Sequence, residues 1–365
     1  MQDIYFFKMK DTGKPESQKL IPVQIIGIQR SGSNLLRLIL NQLEGVFAPH
    51  PPHILKTFYP LLPYYGDITN EKSFRILADD ICRFVRENPV PWKDAELNPD
   101  ILIGACRRKD LLEIFIRIYE INAIRKGAKY WFCKSMDNVH YINKFEEYGF
   151  KPFYIHLVRD GRDVALSFQK AVVGEKHIYH LAKKWKESQD LSDNFIKYYS
   201  PQRAIRIKYE DLLLSPEKEI RKICDLIGLK YSNKILNFYL SEDSLMTASS
   251  GDLWQNLTHP LISNNFNKFI KEMPKEELEI FESVAGDTLE RFGYQRELDH
   301  YLDLKFSHED LKNFDLENER LKQMFLKTVH SKDLLLRQKQ EEIIREIRSR
   351  NIVIARQELN SRESQ

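Results

Sequence analysis

An α/β fold, with a mostly parallel central sheet flanked by helices on both faces, is what this sequence predicts. Three observations carry that expectation. Apolar runs of strand length pass through short polar loops into helical patterns at 21–41, at 151–170 and again at 205–229. Within these runs the apolar residues are nearly continuous (Val23, Ile25, Ile26 and Ile28; Phe153 through Val158), as in strands buried on both faces. The length, 365 residues, suits one large α/β domain with additions.

The first twenty residues, MQDIYFFKMKDTGKPESQKL, read as a loose polar arm. Their apolar run is too short and too interrupted for a signal peptide or a membrane span. The first strand then enters the loop Gln29-Arg30-Ser31-Gly32-Ser33-Asn34, and the following helix sets Leu35, Leu36, Ile39 and Leu43 on one side. A strand-loop-helix unit of this kind aims several backbone N–H groups and a helix N-terminus at one point, which favours an anion. Arg30 adds a fixed positive charge there. Gly27 and Gly32 have the spacing of the nucleotide-triphosphate loop G-x-x-x-x-G-K-[ST], but Ser33 and Asn34 stand where its Lys and Ser/Thr would be. The cradle is kept and the Mg²⁺-triphosphate chemistry is lost, so the expected ligand is an anionic donor used without a metal.

Next comes Ala48-Pro49-His50-Pro51-Pro52-His53, a proline-stiffened turn with two imidazoles. An imidazole titrates near pH ~6.5, which suits proton abstraction close to neutrality. Residues 73–127 are mostly helical by pattern, interrupted at Pro89, Pro91 and Pro99. Phe58, Tyr59, Tyr64, Tyr65 and Trp92 suit a pocket lining or a packed core equally. The strand Tyr130-Trp131-Phe132 leads into Cys133-Lys134-Ser135-Met136-Asp137. In the second unit, the strand 153–158 ends in Arg159-Asp160-Gly161-Arg162-Asp163, with Asp163 read as the N-cap and Ser167 in the first turns of the helix. Arg162 reads as a helix-start ion-pair partner. Ligands of open α/β sheets bind outside the carboxyl ends of strands. Two anion-type units in one domain therefore point to two anionic groups on one ligand.

The two motifs together resemble the sulfotransferase family that uses 3′-phosphoadenosine 5′-phosphosulfate (PAPS), and more closely its bacterial group with an R-S-G-[ST] loop. Residues 29–35 resemble the 5′-phosphosulfate loop, and Arg159 with Ser167 resembles the 3′-phosphate motif. Residues 205–229, centred on Tyr209-Glu210-Asp211, resemble a later strand-helix unit of the family. Residues 250–294 resemble its closing region, although Ala248-Ser249-Ser250-Gly251 stands where the family has a basic R-K-G run. The resemblance implies that Arg30, Ser31, Gly32, Ser33 and Asn34 hold the phosphosulfate, and that Arg30 also acts in catalysis. It implies that Arg159 and Ser167 hold the 3′-phosphate and that Tyr209 lies on the adenine side. Lys134 would contact the transferring group. The general base is His50 or His53, with Asp137 also open, because the histidine that some members carry after the lysine is missing here. The expected reaction is metal-independent transfer of a sulfuryl group to a hydroxyl or amine of a carbohydrate, glycolipid or small metabolite. The rival readings are a P-loop kinase or NTPase, and a catalytically degenerate nucleotide-binding assembly protein.

Composition sets bounds on partners. With 56 basic and 53 acidic residues the net charge is +3, too balanced to imply nucleic acid. The four cysteines, at 82, 106, 133 and 224, form no C-x-x-C pair, so neither a zinc framework nor a disulfide scaffold is expected, and a cytoplasmic setting is. After Tyr294 the chain turns rich in Lys, Arg, Glu and Leu, without Gly or Pro. Phe325, Leu336, Ile343, Ile347 and Ile354 fit an a/d-like spacing, interrupted by Lys332, Gln340 and Arg350, which suits long amphipathic helices with a homodimeric coiled-coil contact or, equally, a helix folded back on its own domain. The expected organisation is an arm at 1–20, a sulfotransferase domain at 21–296 and a helical tail at 297–365.

Overall fold

The computed structural model of the chain describes residues 5–8, 16–199, 202–298, 304–328 and 331–363. In chain order the elements begin with β1 (Tyr5–Lys8), β2 (Glu16–Lys19), β3 (Ile21–Gly27), α1 (Ser33–Leu40), β4 (Val46–Phe47) and α2 (Ile54–Phe58). There follow α3 (Glu71–Arg86), α4 (Pro99–Ala105), α5 (Leu111–Arg125), β5 (Tyr130–Cys133), α6 (Ile142–Tyr148), β6 (Phe153–Val158), α7 (Gly161–Gln169) and α8 (Ile178–Tyr199). The last are β7 (Ala204–Lys208), α9 (Tyr209–Leu214), α10 (Pro216–Ile227), α11 (Glu242–Ser249), α12 (Phe269–Glu272), α13 (Lys275–Arg291), α14 (His308–Thr328) and α15 (Ser331–Glu363). Five strands form a parallel sheet in the order β4-β5-β3-β6-β7 with helices around it, the α/β architecture that the sequence predicts. Within the expected arm, β1 pairs antiparallel with β2, Tyr5 opposite Lys19 and Lys8 opposite Glu16. Residues 1–4 and 9–15 of that arm lie outside the described residues.

The chain divides into two compact units. The first comprises Met1–Pro22, Gly45–Ser135 and Leu334–Gln365. Its core is aromatic: the rings of Tyr119 and Trp131 stack at 5.0 Å, and Phe58 meets Phe84 edge-on. Phe58, Tyr65 and Trp92 are buried there, whereas Tyr59 and Tyr64 are half-buried. Pro99 opens α4 instead of breaking a helix, because the first helical position needs no N–H. On α5 the guanidinium of Arg117 lies between Glu113 and Glu120, all three buried. From α15, Gln340 donates to the Phe84 carbonyl at 2.9 Å and Arg350 pairs with the buried Asp80. Ile343 and Ile347 are buried in this unit. The side chain of Ile354 lies outside the described residues.

The second unit comprises Val23–Glu44 and Met136–Asp333, so α14 belongs to it. Here β3 runs beside β6, with Val23 opposite Phe153 and Gly27 opposite Leu157, and β7 lies on the far side of β6. The carboxyl ends of these three strands share one edge, and the loops that follow them open there. Helices α7, α8 and α13 cover one face through Val164, Phe168, Leu181, Trp185, Phe281 and Leu289. Two local expectations need correction. α1 stops at Leu40, so Leu43 is buried from the loop beyond the helix. The N-cap of α7 is Asp160, which accepts from the Arg162 amide, and Asp163 lies inside the first turn. The helix starts earlier than the pattern suggested because Gly161 is already helical.

Candidate donor site

The second unit gathers its site at the carboxyl ends of β3, β6 and β7. β3 delivers the loop 28–32. Gly27, at φ 124, passes so close to β6 that a Cβ there would lie 2.6 Å from the Leu157 carbonyl oxygen. Gly32 caps α1 at φ 85, with no side chain capping the helix. The amide groups of the first turn of α1 thus have neither an intrahelical partner nor a side-chain cap, and they are available to an anion. Ser31, Ser33 and Asn34 are buried beneath this turn.

The charged groups arrive from the neighbouring strands. Arg30, at φ 71, donates through Nε to Ser167 Oγ at 3.0 Å, which ties the loop to α7. Arg159, from the end of β6, donates to the Arg30 carbonyl at 3.1 Å and pairs with Asp163 at 3.3 Å. The Tyr209 ring, from the end of β7, lies under the Arg159 guanidinium at 4.5 Å and covers Gly32, where a Cβ would stand 2.3 Å from the ring. Asn265 donates to the Tyr209 hydroxyl at 2.9 Å. Burial raises the pKa of that phenol, and it stays protonated. Glu210 accepts from the Asp160 amide at 3.0 Å and from the Tyr294 hydroxyl at 2.9 Å, fixing the loop after β6 to the end of α13. Burial also raises the Glu210 pKa.

Arg162 is a structural cation, as its position at the helix start suggested. It bridges Asp160 at 2.7 Å and Glu282 at 2.6 Å with Phe269 beneath the guanidinium. Behind the loop, Lys176 donates to the carbonyls of Phe168 and Ala171 at the end of α7. Burial, and then the nearby Arg30 charge, lower its pKa to about 8.

Three buried polar atoms of this cluster, Ser31 Oγ, Asn34 Oδ1 and Arg159 Nε, lack a hydrogen-bond partner among the described residues. Buried polar groups are normally satisfied, and these three lie among the cationic side chains and free helix amides of one cluster. The cluster therefore suits an anionic ligand. Among the described residues no group of three or more His, Cys, Asp or Glu could hold a metal ion, and no helix is long and apolar enough to cross a membrane.

The family profile described as "Sulfotransferase family" matches residues 22–233. The chain belongs to the sulfotransferase family. A solved structure similar to this sulfotransferase is the sulfotransferase domain from the curacin biosynthetic pathway, 19% identical, with a TM-score of 0.51 over 76% of this chain and 99% of that one. The sulfotransferase domain of the Synechococcus PCC 7002 olefin synthase is 20% identical, with a TM-score of 0.49 over 75% of this chain and 98% of that one. A curated relative, an uncharacterised protein of Aquifex aeolicus (strain VF5), is 19% identical over 295 residues, 78% of this chain. The chain matches only 35% of that relative's length.

Of the residues singled out in the sequence, Arg30, Ser31, Gly32, Ser33, Asn34, Arg159, Ser167 and Tyr209 come together in the second unit. His50, His53 and Lys134 belong to the first unit. There the His50 carbonyl accepts from Asn88 at 3.1 Å and from the Trp92 indole at 2.6 Å, so the proline turn is held in place. His53 takes a left-handed backbone, φ 56, at the start of α2. Lys134 is buried just beyond β5. Trp254 is half-buried in the short 3-10 helix Asp252–Thr258, and the side chains of Asp252 and Leu253 lie outside the described residues. Neither Asn265 nor Lys176 was legible as a member of the cluster, since each lies in a loop without a motif. Gln29 was legible as part of the loop, but its bond to Asp137 was not: Nε2 donates to Oδ2 at 2.9 Å.

Proposed function

We propose that this sulfotransferase transfers a sulfuryl group from PAPS to a hydroxyl or amine of its acceptor, without a metal. The observation that carries the reading is the Arg30–Ser167 and Arg159–Arg30 pair of bonds, which fastens two anion-type loops together. A donor with a 5′-phosphosulfate and a separate 3′-phosphate uses both. Ser31, Gly32, Ser33, Asn34 and Arg30 would hold the phosphosulfate, Arg159 and Ser167 the 3′-phosphate, and Tyr209 the adenine side.

Transfer of this type depends on positioning and on charge stabilisation at the leaving oxygen. The α1 amides and the Arg30 fork supply that stabilisation without reorganising. Ser33 and Asn34 stand where a triphosphate loop has its lysine and Mg²⁺-binding hydroxyl, which argues against the kinase or NTPase reading. His50, His53 and Lys134 remain proposed contributors on the acceptor side, and a cytoplasmic setting remains the proposed location.

The test is calorimetric titration with 3′-phosphoadenosine 5′-phosphate (PAP), with and without EDTA, with Mg-ATP in parallel. Binding of PAP that ignores EDTA and weakens about 100-fold in Arg159→Ala, the effect of losing charge-assisted bonds worth ~2–3 kcal/mol, supports the reading. Binding of Mg-ATP alone overturns it in favour of an NTPase. Binding of neither points to a degenerate assembly protein.

A further inference from the structure

The loop between α7 and α8, residues 170–177, folds back on the end of α7. It carries the buried Lys176 ammonium onto the carbonyls of Phe168, at 2.8 Å, and of Ala171. A helix C-terminus has orphan carbonyls and a partial negative charge, and a lysine placed there satisfies both. Phe168 follows Ser167, whose hydroxyl takes Arg30 Nε at 3.0 Å. Lys176 thus braces the turn of α7 that meets the donor loop. Burial and, after it, the Arg30 charge lower the Lys176 pKa to about 8, so the two cations are close enough to oppose each other. A bound anion relieves that opposition.

The loop is held from α14. The amides of Lys176 and His177 lie at the start of α8, where a helix offers them no partner. Both donate to one side-chain oxygen, Asn318 Oδ1, at 2.8 and 3.0 Å. Asn318 Nδ2 donates to Glu175, whose carboxylate also pairs with Lys322 at 2.7 Å. The Phe325 ring lies under the Lys176 ammonium at 4.0 Å, and Phe314 stacks on the His177 ring at 4.6 Å. Phe314, Asn318, Lys322 and Phe325 follow one another at spacings of four, four and three, so a single face of α14 reaches the loop. Asn318 is buried at the middle of that face. Asparagine is a weak helix former, so its presence inside α14 owes more to the amides it holds than to the helix.

We propose that α14 is a clamp on the donor site and that Asn318 is its positioning residue: by holding the loop after α7 it keeps Lys176 on the end of that helix, and so keeps Ser167 and Arg30 in the arrangement that receives the donor anion. The proposal rests on the PAPS reading above. α14 spans His308–Thr328, beyond the family-matched stretch of 22–233 and beyond residue 296, where the sequence places the end of the sulfotransferase domain. The clamp makes this helix part of the working donor site. Asn318 acts through the loop, since its bonds go to Glu175, Lys176 and His177. Coupling of this kind is reciprocal: a donor that fastens Arg30 and Ser167 must in turn tighten α14 on the loop.

The test is calorimetric titration of the full chain with PAP, at a temperature where circular dichroism shows each variant folded. Asn318→Ala strands the two amides and is expected to weaken PAP binding at least tenfold. Asn318→Asp combined with Glu175→Gln keeps both amide bonds and exchanges the charge and the amide between the two side chains. This pair is expected to return PAP affinity to within threefold of the parent. Phe306→Ala removes a ring packed edge-on against Tyr179 and leaves the bonds of the loop alone, so it is expected to stay within threefold as well. Hydrogen–deuterium exchange of the parent chain tests the reciprocal effect, and it decides the matter even where Asn318→Ala does not fold. Saturating PAP is expected to slow exchange across 308–328 at least threefold. A loss smaller than tenfold in Asn318→Ala, an equal loss in Phe306→Ala, no recovery in the exchanged pair, or unchanged exchange over α14 overturns the clamp, while PAP binding by the parent leaves the donor reading standing. Absence of PAP binding by the parent removes both.

Discussion

Arg30 holds a left-handed backbone, φ 71, in a region that costs a residue with a side chain on the order of 1 kcal/mol or more. The neighbours fix it there: Ser167 takes the guanidinium and Arg159 takes the carbonyl. Arg30→Gly is expected to relieve the backbone strain yet weaken PAP binding at least tenfold, so thermal unfolding and PAP titration should move in opposite directions. At Gly32 the two should fall together. Gly32→Ala puts a methyl 2.3 Å from the Tyr209 ring at φ 85, at a cost of about 1–3 kcal/mol, and pushes the ring off the loop. Both residues were legible in the sequence, because a Gly and an Arg in a loop between strand and helix have few other uses. Asn265 was not, since a lone Asn in a loop carries no signal until the fold brings it to Tyr209. His156 offers a further residue-scale outcome. It is fully buried on β6 against Gln189, and burial lowers its pKa to about 4. The unfolded imidazole, with a pKa near 6.5, binds the proton that the folded one refuses. Its contribution to stability is therefore complete above about pH 6.5 and is lost as the pH falls toward 4, by on the order of 3 kcal/mol. Chemical denaturation of His156→Gln at pH 7 and pH 5 should show a smaller loss between the two than the parent shows.

Elements were read best where pattern and burial agreed. The strands 21–27 and 153–158 have continuous apolar runs because both faces are covered, and helix α3 carries a long periodic pattern, whereas α5 is buried almost all round. β4 was missed because it has only two residues, Val46–Phe47, and its existence depends on pairing with β5. The start of α7 was misplaced because three charged residues crowd it, and only the fold decides which of them caps. Its geometry gives the element-scale prediction. Arg162 satisfies Asp160 and Glu282, both buried, and joins α7 to α13. Arg162→Met should destabilise the chain by about 3–5 kcal/mol, because it leaves two carboxylates buried without their cation. It touches none of the proposed donor contacts. Folded Arg162→Met protein, assayed below its unfolding temperature, should therefore bind PAP within threefold of the parent, whereas a ligand-contacting arginine would lose both properties.

At the scale of the whole molecule, composition and pattern set the charged helical tail apart from the rest of the chain, but not which surfaces the tail meets. An a/d-like spacing describes any one-sided helix, and the sequence holds no mark of whether its partner is a second copy or its own domain. The structure buries Ile343 and Ile347 within the first unit and sets Arg350 on Asp80, which also accepts from the Tyr65 hydroxyl at 2.9 Å. Two buried isoleucines contribute about 1.5–3 kcal/mol each, and a charged bond to a buried carboxylate about 1.5–3 more. Deleting residues 334–365 should thus lower the unfolding free energy of the unit that contains α3 by several kcal/mol, and Arg350→Ala alone should lower it by about 2 kcal/mol. Urea unfolding read alongside light scattering distinguishes the two roles of the tail. If the helix serves only self-association, truncation halves the molar mass and leaves the unfolding of dilute protein unchanged. If it completes its own unit, Arg350→Ala shifts the urea midpoint at a constant molar mass.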